Sequence, residues 1–144
     1  MKRKMLMILA FFALVGTLFS QTVLIASENT SYKKKLVQAL TEELKEEGFA
    51  VETVNLQNGE LEGVDPSTFA AVVISNSGVN KRVRPQVTAW LESIVGNDDN
   101  VIVHTTKRDE WDEALEVDAI SSASQTSNIN DVVKEIMTLI KTKL

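Results

Sequence analysis

Short apolar runs alternate with amphipathic stretches along most of this chain. Val23-Leu24-Ile25-Ala26, Ala70-Ala71-Val72-Val73-Ile74 and Val101-Ile102-Val103 are continuous apolar runs of strand length, the pattern of strands covered on both faces. Val51-Glu52-Thr53-Val54-Asn55-Leu56 and Val117-Asp118-Ala119-Ile120 interleave polar residues and predict edge strands. In chain order the strands read core, edge, core, core, edge. Only some sheet orders place the first, third and fourth strands inside, and 2-1-3-4-5 is the familiar one.

Helical periodicity fills the intervals. From Tyr32 to Glu47 the residues Leu36, Val37, Leu40 and Leu44 fall on one face, and Gly48 stops the pattern. Pro85 opens a second helix, with Val87, Trp90, Leu91, Ile94 and Val95 as its stripe and Gly96 as its end. A third carries Val132, Val133, Ile136, Leu139 and Ile140, with Asn128 or Asn130 as the expected cap. Two connections are shorter. Asp65-Pro66-Ser67-Thr68 allows one helical turn, and Asp109 to Glu116 allows two at most. Strands alternating with helices predict an α/β fold with a doubly wound, parallel five-stranded sheet.

The first twenty residues stand apart. Lys2, Arg3 and Lys4 precede a charge-free stretch from Met5 to Phe19, then Ser20 and Gln21. This is the layout of a secretory signal, and the apolar run is short for a spanning helix, which needs about 20 residues. The expectation is cleavage after Ser20, with a short membrane anchor as the alternative, and a single domain over residues 21–144. A periplasmic or extracellular location follows from that expectation.

Charge narrows the function. Without Lys2, Arg3 and Lys4 the chain keeps 12 basic against 20 acidic residues, a net charge of −8, which argues against general nucleic-acid binding. The absence of cysteine excludes disulfides, thiolate metal sites and thiol catalysis. Yet eight of those 12 basic residues follow the carboxyl ends of strands: Lys33, Lys34, Lys35, Lys81, Arg82, Arg84, Lys107 and Arg108. Ligands of open α/β sheets bind at that edge. Cations near a helix start oppose its dipole by about 0.3–1 kcal/mol each, so their placement points to an anionic small ligand or acidic partner. Lys81, Arg82 and Arg84 are the candidate anion-binding residues.

The run Val23-Leu24-Ile25-Ala26-Ser27-Glu28-Asn29-Thr30-Ser31-Tyr32 resembles the start of a flavodoxin. So do Phe69 to Ile74, the loop at Asn76-Ser77-Gly78, and the Pro85 helix behind it. The resemblance covers the order of elements from Gln21 onward. It implies FMN as a possible cofactor, with Ser27, Asn29, Thr30 and Ser31 near the phosphate, Asn76, Ser77 and Gly78 in the third loop, and Trp111 against the flavin ring. The chain departs from the pattern in three places. The first loop has no glycine, Glu28 brings a carboxylate towards the phosphate, and no aromatic residue lies between Asn76 and Arg84.

A second resemblance concerns Asp118-Ala119-Ile120-Ser121-Ser122-Ala123-Ser124. It is similar to the tract that extracytoplasmic flavin transferases modify, which implies Ser124 as an acceptor for covalent FMN; Ser122 stands where that tract has glycine. His104, the single histidine, shares the edge with Ser77 and Asp109. Ser77 lacks a G-x-S-x-G elbow, so no catalytic residues are assigned, and a satisfied strand-end histidine is the simpler expectation. No metal-ligand spacing is present.

The leading expectation is a non-catalytic module that binds an anionic ligand or partner. The alternative is an FMN-dependent electron carrier, and a hydrolase built on Ser77 and His104 ranks last. Intact-mass analysis of the protein from its own source tests the processing expectation. A chain starting at Gln21 is the expected result, and a full-length chain in the membrane fraction is the contrary one.

Overall fold

The computed structural model describes residues 21–109 and 113–144. The expected signal or anchor over residues 1–20, and Trp111, lie outside them. Five strands form one sheet: β1 (Thr22–Ser27), β2 (Ala50–Asn55), β3 (Ala71–Ser77), β4 (Val101–Thr106) and β5 (Asp118–Ser122). Every neighbouring pair is parallel, in the order β2-β1-β3-β4-β5. This is the doubly wound sheet that the strand compositions predict.

Three helices cover it: α1 (Ser31–Glu46), α2 (Pro85–Ser93) and α3 (Ile129–Thr142). Alternation along the strands sorts the apolar side chains between two layers. Val23, Ile25, Val73 and Ile102 pack under α1 and α3, against Leu36, Leu40, Leu44, Val132, Ile136 and Ile140. Leu24, Ala26, Val72, Ile74, Val101 and Val103 face the other way, against Val87 and Trp90 of α2 and the turns carrying Leu56 and Leu61. Trp90 is core, and its indole N–H donates to the Val64 carbonyl at 3.1 Å.

The helix ends follow local chemistry. Thr30 caps α1 by accepting from the Lys33 N–H at 3.2 Å. At the other end Gly48 takes φ +90°, and Phe49 N donates to the Leu44 carbonyl at 3.0 Å. That is the glycine-terminated helix stop which only a residue free of Cβ strain enters cheaply. One expectation needs correction. Helix α2 ends at Ser93, so Val95 lies beyond the stripe and is 70% exposed. Asn128 holds the N-cap position of α3, as expected, but its side chain makes no capping bond. Its amide instead accepts from the Tyr32 hydroxyl at 2.6 Å and donates to the Ala123 carbonyl at 2.7 Å, tying α1 to the loop after β5.

Burial at the two kinds of strand predicts their sensitivity. Ile102→Ala, at a fully buried position in central β4, is expected to cost about 2–5 kcal/mol. Ile120→Ala, partly buried in edge strand β5, is expected to cost less than half as much. Urea unfolding of the two variants measures both.

Candidate functional site

The carboxyl ends of the strands carry a ladder of polar residues whose arrangement follows from register. Ser75 pairs with His104 and Ser77 with Thr106 across β3 and β4, and Thr106 pairs with Ser122 across β4 and β5. Ser75, Ser77, His104 and Thr106 fall on the α1/α3 side of the sheet, in alternation with the apolar residues below them. Asn76 and Thr105 fall on the α2 side.

The lower rung is closed. His104 is fully buried; its Nδ1 lies 2.8 Å from Ser75 Oγ and its Nε2 2.9 Å from Ser122 Oγ. Burial foremost, and then the Lys33 charge, push its pKa down to about 3. The ring is therefore neutral, each nitrogen is satisfied by a serine, and neither Ser77 nor Asp109 is its partner. The hydrolase constellation is not assembled.

The upper rung is ionic. Lys33 leaves the first turn of α1 and is 1% exposed. Its Nζ donates to Thr106 Oγ1 at 2.7 Å and to Ser77 Oγ at 3.2 Å. Burial lowers its pKa to about 8; the Glu28 carboxylate opposes that shift and the Arg84 charge adds to it. Glu28 is itself buried, accepts from the Ser77 N–H, and pairs with Arg84 at 2.8 Å. The Arg84 N–H donates to Asn76 Oδ1 at 3.0 Å. Asn76 in turn donates to the His104 carbonyl and to Thr105 Oγ1. Charges out of water need such partners, and here they lock the first loop to the ends of β3 and β4.

This network decides where a ligand fits. In the first loop, the Ser27 hydroxyl donates to the Glu28 carbonyl at 3.0 Å and the Asn29 N–H donates to Gln57 Oε1 at 3.0 Å. Thr30 is occupied as a cap, and Ser31 is exposed at the helix start. Glu28 is turned inward rather than towards a phosphate. Two of the four donors that the flavodoxin resemblance assigns to a phosphate cradle, those of Ser27 and Asn29, are thus spent inside the protein, while Thr30 and Ser31 keep their hydroxyl protons at the exposed helix start. With half its donors engaged and no glycine at the turn, the first loop is a poorer cradle for that group.

The open space lies further along the edge. A cleft of about 850 Å³ is lined by Ser77, Gly78, Asn80, Lys81, Thr106, Lys107, Arg108, Asp109, Ala123, Ser124 and Gln125. It joins the loops after β3, β4 and β5. Ser77, Gly78, Lys81 and Ser124 therefore meet in one place. Arg82 is exposed beside it on the same turn, and Arg84 is committed to Glu28. Sequence reasoning missed Thr106 as a member of this site, and placed Lys33 at this edge without revealing that it is buried behind it.

Lys81 is held there at a cost. Val79 and Arg82 exchange backbone hydrogen bonds at 2.8 and 3.0 Å, closing a two-residue turn. Its central residues Asn80 and Lys81 have φ +51° and +61°. Such a turn favours Asn-Gly, and a left-handed conformation costs a residue with a Cβ about 1–2 kcal/mol.

The His104 pKa makes stability depend on pH. In the unfolded chain this ring protonates near 6.5, and in the fold only near 3. Between those values the unfolded state holds the extra proton, so stability falls as pH falls, by up to about 1.4 kcal/mol per pH unit. From pH 7 to pH 5 the expected loss is roughly 2 kcal/mol. Denaturant titrations at both pH values measure it, and His104→Gln is expected to remove that difference.

No protein-family model and no curated sequence matches this chain. Solved structures do. A flavodoxin from the domain Archaea superposes with a TM-score of 0.58 at 9% identity, covering 85% of this chain and 99% of that one. A metal-soaked flavodiiron core from Synechocystis sp. gives 0.58 at 11% identity, covering 86% of this chain and 36% of that one. The rubredoxin:oxygen oxidoreductase from Desulfovibrio gigas gives 0.54 at 13%, with 86% and 36% covered. This chain thus spans nearly the whole archaeal flavodoxin but about a third of the two larger proteins. Its fold is flavodoxin-like.

Proposed function

We propose that this protein is a non-catalytic binding module that holds an anionic ligand in the cleft between the loops after β3, β4 and β5. The strained placement of Lys81 carries this reading. A lysine occupies the turn position best suited to glycine, with φ +61°, on the wall of a cleft at the ligand-binding edge. Residues held in such conformations cluster at sites of function. Lys107 and Arg108 line the same cleft, with Asp109 as the one carboxylate among its described lining residues. Its volume lies in the range of small-ligand sites, about 300–1,000 Å³. Arg84 is outside the proposal because Glu28 holds it.

The fold favours a second reading, in which FMN is the anion and the protein carries electrons. The cleft lies at the edge where open α/β sheets take ligands, and Ser124, the acceptor expected for covalent FMN, is exposed on its wall. Flavin fluorescence on titration distinguishes a bound flavin from other anions, and an intact mass after co-expression with a flavin transferase tests Ser124.

Lys81→Gly separates function from stability. It relieves the turn, so it is expected to raise stability by about 1 kcal/mol. It also removes a rim cation, so affinity for an anionic ligand is expected to fall several-fold and to depend less on salt. Arg108→Gln is expected to weaken binding without the gain in stability. Thermal unfolding and calorimetric titration with phosphorylated and carboxylated small molecules check both. Unchanged affinity in both variants contradicts the proposal.

A further inference from the structure

An ammonium group has three protons to donate and no lone pair. Any hydroxyl bonded to it must therefore accept, and must send its own proton elsewhere. Lys33 Nζ sits behind the cleft wall, 2.7 Å from Thr106 Oγ1 and 3.2 Å from Ser77 Oγ. Thr106 passes its proton on to Ser77 Oγ at 3.3 Å. Ser77 Oγ thus receives two hydrogen bonds. Its own proton is the one left to point outward, and Ser77 is only half-buried, on the wall of the cleft. The nearest carboxylate, Glu28, is occupied by the Ser77 N–H and Arg84.

We propose that the Ser77 hydroxyl forms the base of a phosphate subsite, with Thr106 and Lys33 as positioning residues that drive its proton into the cleft. This subsite rests on the reading of the cleft as the ligand site. The charge balance selects the ligand class. Lys81, Lys107 and Arg108 line the cleft, and Lys33 acts through the hydroxyls; among the described lining residues Asp109 offsets one charge. A tetrahedral group carrying close to two negative charges matches this better than a carboxylate. Inorganic phosphate and the phosphate of a small monoester share that chemistry. The subsite lies at the ends of β3 and β4.

The relay is reversible. Burial lowers the Lys33 pKa to about 8, so the ammonium gives up its proton across the range above neutrality. Glu28 in the first loop and Arg84 at the start of α2 are the charged groups facing it, while His104 of β4 is neutral throughout the neutral range. Once Lys33 loses its proton it gains a lone pair and accepts from a hydroxyl. The Ser77 proton then turns inward, and the phosphate loses its donor even as it gains charge of its own.

Calorimetric titration of the full domain with inorganic phosphate, glycerol 3-phosphate and acetate tests this at low salt. Both phosphate ligands are expected to bind at pH 7, at least tenfold more tightly than acetate. Preference for glycerol 3-phosphate identifies a monoester as the source, and equal affinity identifies free phosphate. Ser77→Ala is expected to lower phosphate affinity about tenfold or more, and Thr106→Val by a smaller factor. Between pH 7 and pH 9 the unaltered protein is expected to lose about tenfold in affinity, and Lys33→Met to show no such step. Because Lys33→Met alters a buried charge, the Ser77→Ala result and the pH profile of the unaltered protein stand independently of whether it folds. Phosphate binding that is weakened by Lys81→Gly, unaffected by Ser77→Ala and flat from pH 7 to pH 9 overturns the subsite and leaves the cleft reading in place. No binding of any of the three anions by the unaltered protein overturns both.

Discussion

A lysine and a glutamate taken out of water at the end of a parallel sheet constrain everything around them. Lys33 needs acceptors and Glu28 needs donors, because an unpaired buried charge costs more than its neighbours can return. Ser77 serves both: its hydroxyl accepts from Lys33 and its backbone N–H donates to Glu28. Arg84 completes the carboxylate's shell, and Thr106 that of the ammonium. Through these bonds the first loop, the end of β3, the start of α2 and the end of β4 hold one another in place. The rigidity is polar, and it sits where the fold would otherwise leave an opening.

That closure fills the first-loop end of a flavodoxin-like fold with the protein's own polar contacts. The space beside β1 is used by the protein's own side chains. Beyond it, the loops after β3, β4 and β5 leave a wide polar cleft whose rim is basic in an otherwise acidic chain. The turn that presents Lys81 is strained, whereas the helix stop at Gly48 uses the residue its geometry favours. Departures of local chemistry from local structure concentrate at sites of function, and the turn at Lys81 is one.

Much of the fold was legible because strand burial is written in composition. Unbroken apolar runs mark β1, β3 and β4 as interior, while Glu52 and Asp118 mark β2 and β5 as edges. The site was less legible, since the residue type of a charge says little about its environment. Lys33 reads as one of three adjacent edge lysines. However, it precedes Leu36, Leu40 and Leu44 by three, seven and eleven positions, which places it on the inward stripe of α1. Glu28 reads as facing a ligand, but its burial depends on Arg84, distant in sequence, and no local pattern reveals that pair. The period-two series Ser75, Ser77 and His104, Thr106 did carry a signal, because it continues the inward faces of β3 and β4 beyond their apolar residues.

The central claim is that the buried network moves the binding edge from the first loop to the cleft between the third, fourth and fifth strands. Backbone amide shifts of the labelled domain, followed during titration with FMN and with inorganic phosphate, test it most directly. The account predicts that either anion perturbs residues 77–82, 106–109 and 123–125 and leaves residues 27–31 unchanged. Perturbation concentrated at Ser27, Asn29, Thr30 and Ser31, with the cleft residues silent, would contradict it.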